Sequence, residues 1–144
     1  MDYLEPGNYI GLDVSDVFFT EALTRMPADF VARKRPTLRL IGEQSMRMVR
    51  ERKPDFVFSM AVLLHVPPGE LREHFRDVVS LAAPHTRIEV GHSPRFRTVW
   101  SPPRSWRHSR YAIRAALAPL GYAPEFRPEY RLLPKIPGFS VVRR

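Results

Sequence analysis

Short apolar runs of strand character alternate along this chain with longer runs of helical spacing, and turn residues separate them. That alternation is the pattern of an α/β domain with a largely parallel sheet, in which strands are linked by helical crossovers. Tyr9 to Val14 reads as the first strand, after a Pro6-Gly7-Asn8 turn. Ser15 is placed to cap a helix carrying Phe19, Ala22, Leu23 and Met26. Pro27 ends that helix or starts a second piece around Asp29 to Arg33, and Pro36 closes the segment.

Thr37 to Ile41 is the second strand, ended by Gly42. The charged stretch Glu43 to Lys53 is weakly helical, and Asp55 to Ser59 is the third strand. Its apolar run continues to Leu64, too long for one strand, so a turn or short helix ending near His65-Val66-Pro67 is expected. Glu70 to Ala83 is the clearest helix, with Leu71, Phe75, Val78, Val79 and Ala82 on one face. Arg87 to Val90 is the fourth strand. Ser93 to Arg104 reads as a loop, followed by a helix capped by Ser105 and running to Leu120, with Trp106, Ile113 and Leu117 in its buried stripe. Phe126 to Leu132 and Phe139 to Val142, joined by the turn at 134–138, close the chain as an antiparallel pair.

Composition removes several classes of function. The 144 residues suit a single domain. There is no cysteine, so disulfides, cysteine-ligated zinc and thiol nucleophiles are excluded, and a reducing, cytoplasmic setting is expected. No apolar run is long enough to span a bilayer, and Met1 to Glu5 lacks a signal-peptide pattern. His85 and His92 flank a strand without a carboxylate at metal-site spacing, so no metal is expected. The net charge is +8, and all but three of the 23 basic residues are arginine. Guanidinium suits phosphates and carboxylates.

Two segments point to chemistry. Asp13 ends a buried-looking strand, and ligands of open α/β sheets sit outside the carboxyl ends of strands. A carboxylate fixed there can accept hydrogen bonds from both hydroxyls of an adenosine ribose, or can cap the next helix through an Asx turn. The second segment, Asp55 to Pro67, is an acid-hydrophobic strand running into a small-residue turn and an apolar stretch ending in His-Val-Pro. It resembles the fourth-strand motif of class I S-adenosylmethionine-dependent methyltransferases. Tyr9 to Ser15 is similar to that family's second strand, and the order of later elements matches its end of chain.

The resemblance implies a Rossmann-like, mostly parallel sheet with a C-terminal antiparallel strand pair, forming one methyltransferase-like domain over 1–144 that is incomplete at its N-terminus. It implies S-adenosyl-L-methionine as cofactor. Asp13, beside Gly11, would hold the ribose hydroxyls, Glu43 or Gln44 would approach the adenine, and Ser59 and Met60 would line the cleft. His65, Arg107 and Arg110 are the expected substrate-side residues, with the methyl acceptor unidentified. The departure from the family is its Gly-rich cofactor turn: seven glycines are present, no two within three residues of each other. The expectation is therefore a domain without its first strand, a fragment of a longer frame. Alternatively, Tyr9–Val14 and Asp55–Ser59 pair directly, or another chain supplies a strand through open sheet edges. Arg95, Arg97, Arg104, Arg107, Arg110 and Arg114 cluster around Trp100, Trp106 and Tyr111, with Arg107, Arg110 and Arg114 expected on one helical face. Two other functions stay open: a non-catalytic binding or assembly module that pairs its open edges with a partner, and, from the cluster, an Arg-rich anion or RNA-binding domain.

Overall fold

The computed structural model describes residues 3–92, 95–101, 105–126, 131–133 and 136–144. They fall into two compact units, Met1–Arg52 and Lys53–Arg144. In the first, β1 (Ile10–Asp13) is followed by α1 (Val17–Arg25), α2 (Ala28–Lys34), β2 (Thr37–Leu40) and α3 (Glu43–Arg52). β1 and β2 pair in parallel from Ile10 opposite Thr37 to Asp13 opposite Leu40. Pro27 both stops α1 and opens α2. Arg35 ends α2 in the left-handed region, at φ 47°, because the following Pro36 disfavours the helical conformation at that residue. The charged α3 buries only Ser45, Met46 and Val49, the narrow stripe of a weakly amphipathic helix. Ser45 explains where it starts: its hydroxyl accepts from the Gly42 amide at 3.0 Å and donates to the Leu40 carbonyl at 2.7 Å.

The second unit holds β3 (Phe56–Met60), α4 (Leu71–Ser80), β4 (Arg87–Gly91), β5 (Val99–Ser101), β6 (Ser105–Arg107), α5 (Arg110–Leu117), β7 (Tyr122–Glu125), β8 (Arg131–Leu133) and β9 (Ile136–Arg143). β3 and β4 are parallel. The chain then closes antiparallel, with β9 between β4 and β7 and β8 also pairing β9. The α/β class and the antiparallel close agree with the sequence reading. Residues 127–130 and 134–135, which include part of the expected strand and turn there, lie outside the described residues.

Alternation along the strands sends Val57, Ile88, Val90, Phe139 and Val141 to the face covered by α4 and α5. Phe75 of α4 and Ile113 and Leu117 of α5 are fully buried there. Phe139 is the centre of this packing, edge-on to Phe75 at 6.4 Å and 4.9 Å from Phe126. The other face carries Glu89, wholly buried, whose carboxylate accepts from Arg87 Nε at 2.6 Å and from the Ser140 hydroxyl at 3.0 Å.

Two expectations change. Ser105 does not cap a helix: it begins a strand, and Val99–Ser101 and Ser105–Arg107 form a hairpin with Trp100 opposite Trp106. The aromatic cross-strand pair favours extended backbone over the helical stripe. The helix starts at Arg110, capped by Ser109, whose hydroxyl accepts from the Ala112 amide at 3.1 Å. Arg107 therefore lies on a strand and does not share a helical face with Arg110 and Arg114. Those two guanidiniums instead both lie over the Phe126 ring, at 5.2 and 5.9 Å. Within its own unit, among the described residues, β1 has β2 as its neighbour and β3 has β4, so each strand has one edge unpaired by its unit.

Phe139→Ala should destabilise the chain by about 3–5 kcal/mol, the usual cost of emptying a buried aromatic site. Urea denaturation would show this as a lowered midpoint.

Candidate functional site

In a parallel pair the carboxyl ends of the strands lie side by side, and the loops leaving them form the floor of any ligand cleft. In the first unit this end is built from Asp13, Ile41 and the start of α3. The Ile41 amide donates to the Asp13 carbonyl at 2.8 Å, holding the two strand exits together. Asp13 Oδ1 accepts from the Ser15 amide at 3.1 Å, the Asx turn considered from sequence. Among the described residues Oδ2 has no hydrogen-bond partner, so one carboxylate oxygen is committed to the turn and the other is available. Glu43 and Gln44 line a cavity of about 770 Å³ with Leu40, Ile41 and Met48. Asp16, Arg39 and Ser45 line it too, so charged and apolar groups share its wall. Gly11 has a packing explanation: a Cβ built there would lie 2.8 Å from Leu38 Cδ2 on the paired strand. Its lack of a side chain serves the sheet.

In the second unit the end of β3 carries Ser59 and Met60. Ser59 is buried, and its hydroxyl has no hydrogen-bond partner among the described residues. Ala61 then takes φ 56°, a left-handed conformation uncommon for a residue with a Cβ. That reversal turns the chain out of the sheet into a single 3₁₀ turn, Leu63–His65, which leaves His65 exposed.

The residue that organises this end is His108, which the sequence reading passed over between two arginines. Its ring is fully buried. Nε2 lies 3.1 Å from the Leu63 carbonyl and 3.0 Å from the Val66 carbonyl. Both are acceptors, so Nε2 carries the proton and the ring is tied to the turn holding His65. Nδ1 is then a buried acceptor with no partner among the described residues. The His92 ring is 5.7 Å away, and its Nε2 donates to the His108 carbonyl at 3.3 Å. Burial pushes the His92 imidazole down to about 4; the backbone bond to His108 opposes this, and His108 and Arg107 add to it. His74 is likewise lowered by burial, against the pull of Asp77. The only signal for this group in the sequence is the spacing of apolar neighbours around each histidine.

The expected site residues thus divide. Gly11, Asp13, Glu43 and Gln44 are in the first unit. Ser59, Met60, His65, Arg107 and Arg110 are in the second, where His108 joins the His65 turn to the strand that ends at Arg107. Arg110 is exposed, with its guanidinium over Phe126. No group of three or more His, Asp or Glu side chains arranged to hold a metal occurs among the described residues.

No protein-family profile matches the chain, and no curated protein sequence matches it. Solved structures do. Magnesium protoporphyrin IX methyltransferase from Synechocystis PCC 6803, solved with bound SAM, aligns over 94% of this chain and 59% of its own, at 21% identity and a TM-score of 0.63. The same enzyme with bound SAH gives a TM-score of 0.65 at 20% identity, over 94% of this chain and 64% of its own. A DhpI–SAH complex aligns over 93% of this chain and 65% of its own, at 19% identity and a TM-score of 0.55. The chain spans about three-fifths of the length of these structures. Its fold is that of the S-adenosylmethionine-dependent methyltransferases. Among the described residues no helix is long and apolar enough to cross a membrane.

An unfolded His92 takes its proton near 6.5, whereas the folded one takes it only near 4. Between those values the unfolded chain binds the extra proton. His92 therefore contributes its full stability above about pH 6.5 and loses it progressively as pH falls toward 4. Urea midpoints measured from pH 7 to pH 4.5 should fall less steeply for His92→Asn than for the parent chain. Replacing His108 with leucine leaves the Val66 carbonyl without its donor, while the Leu63 carbonyl keeps the Val66 amide at 3.3 Å; the loss should cost roughly 1–3 kcal/mol, whereas His108→Gln should recover part of it, and thermal unfolding of the two variants checks both.

Proposed function

We propose that the chain contributes cofactor-binding and acceptor-side residues to S-adenosylmethionine-dependent methyl transfer, and that 1–144 is part of one methyltransferase-like domain. The observation that carries this reading is Asp13: an acid at the carboxyl end of a parallel strand, with Oδ1 spent on its own turn and Oδ2 uncommitted among the described residues. In this role Asp13 accepts from the ribose hydroxyls. Glu43 or Gln44 meets the adenine amino group at the mouth of the cavity that both line. Ser59 and Met60 border the amino-acid portion, and the unsatisfied Ser59 hydroxyl supplies a polar contact there. When bound, the cofactor provides an electrophilic methyl group. The task of the protein is mostly to hold the acceptor in line with it and to exclude water. His65 on the exposed turn and Arg107 on β6 are the acceptor-side residues in this reading, and His108 positions them without touching the reacting atoms. Lack of cysteine fits a reducing compartment such as the cytoplasm.

A second reading, a non-catalytic assembly module, is favoured by one observation. The open edge of β3 is flanked by Phe56 and Phe58, both exposed and stacked at 5.9 Å. A strand supplied by another chain would cover that edge.

Calorimetric titration with S-adenosylhomocysteine tests the choice. Methyl transfer predicts saturable binding, weakened roughly 10- to 100-fold by Asp13→Asn through the loss of a charge-assisted hydrogen bond. A folded chain that binds no S-adenosylhomocysteine overturns the first reading and leaves the second.

A further inference from the structure

The β5–β6 hairpin is mounted rigidly on the second unit. The Arg95 amide donates to the His108 carbonyl at 3.1 Å, and the Ser109 amide donates to the Thr98 hydroxyl at 3.0 Å. On this mount, Arg95, Phe96, Arg97, Val99, Trp100 and Arg107 border a cavity of about 580 Å³. It is a shallow, open recess, able to take one face of a small organic molecule. Phe96 is 77% exposed and Trp100 49% exposed, yet neither ring stands alone. Trp106 meets Trp100 edge-on at 5.0 Å, and Tyr111 meets Phe96 at 6.3 Å and 87°. The rings are therefore set in direction before anything binds, which lowers the ordering cost of binding. The guanidiniums of Arg95, Arg97 and Arg107 form no salt bridge among the described residues.

Exposed, buttressed aromatic surface beside uncompensated guanidiniums is complementary to one kind of molecule: an apolar ring system bearing an acid group. The ring would cover Trp100 and Phe96, and the acid would take up one or two of the arginines. A nucleic-acid strand would need basic charge continued as a track along successive phosphates; among the described residues Arg95, Arg97 and Arg107 converge on this one recess, and Arg110 and Arg114 turn to the Phe126 ring. We propose that the hairpin cavity binds a small aromatic carboxylate or similar ring-bearing anion. Its identity as the methyl acceptor rests on the reading of the preceding subsection; the binding does not.

Both tryptophans of the chain lie in this hairpin, so the two indole N–H signals of a ¹⁵N-labelled sample report on it alone. Titration with 2-naphthoate should shift the Trp100 signal saturably. The neutral 2-naphthalenemethanol should bind at least tenfold more weakly to the same protein. Arg97→Gln combined with Arg107→Gln should weaken naphthoate by a similar factor while leaving the neutral probe unchanged. Equal binding of the two probes, or no saturable shift of either indole, overturns the proposal. So does displacement of naphthoate by a short single-stranded RNA at lower concentration, which would assign the surface to nucleic acid. Naphthoate binding in a chain that fails to bind S-adenosylhomocysteine would sustain this site and remove methyl transfer.

Discussion

A single buried imidazole ties together the parts of the second unit that matter for chemistry. His108 donates one proton to the carbonyls of Leu63 and Val66, so the turn leaving β3 is held against the strand and helix that follow the hairpin. Both carbonyls lie just beyond a backbone reversal at Ala61, where a left-handed residue ends strand geometry. Without that donor the Val66 carbonyl would lose its partner, and the Leu63 carbonyl would keep only the Val66 amide of its own turn. The His92 ring beside His108 adds a second imidazole, kept uncharged by burial.

The two units rest on different physics. In Lys53–Arg144 a mixed sheet buries one face under α4 and α5, with Phe139 between Phe75 and Phe126. In Met1–Arg52 two short parallel strands carry helices of which α1 and α2 bury no residue. Local devices hold that unit together: the Pro27 junction, the left-handed Arg35 and the Ser45 hydroxyl that closes the turn from β2 into α3. The ligand-facing features, Asp13 Oδ2 and the cavity at Glu43 and Gln44, are thus carried by the less buried part.

Much of this was legible in the residues. The β1, β2, β3 and β4 runs, the amphipathic α4 and the antiparallel close follow from apolar periodicity and from proline and glycine punctuation. The hairpin did not, because prolines at 102 and 103 beside three arginines between Ser93 and Arg104 read as a loop, and the pairing of Trp100 with Trp106 is a contact that no local pattern announces. Ser105 and Ser109 stand four residues apart and are equally good caps by type; tertiary pairing decides for Ser109. For the site, Asp13 and the turn after β3 stood out because strand ends are where open sheets bind ligands. His108 did not, since a buried histidine is recognisable only once the carbonyls around it are known. Gly11 lies opposite Leu38, whose side-chain tip comes within 2.8 Å of where a Cβ would stand, a contact that sequence spacing does not reveal.

The open edge of β3 has a colloidal consequence. Unpaired strand backbone flanked by Phe56 and Phe58 is a template onto which a second copy could add. Copies of this chain also carry a net charge of +8 and repel one another. That repulsion reaches only about 8 Å at physiological ionic strength and less in concentrated salt. The excess arginine therefore opposes the approach of one copy to another, and raising the salt concentration weakens that opposition.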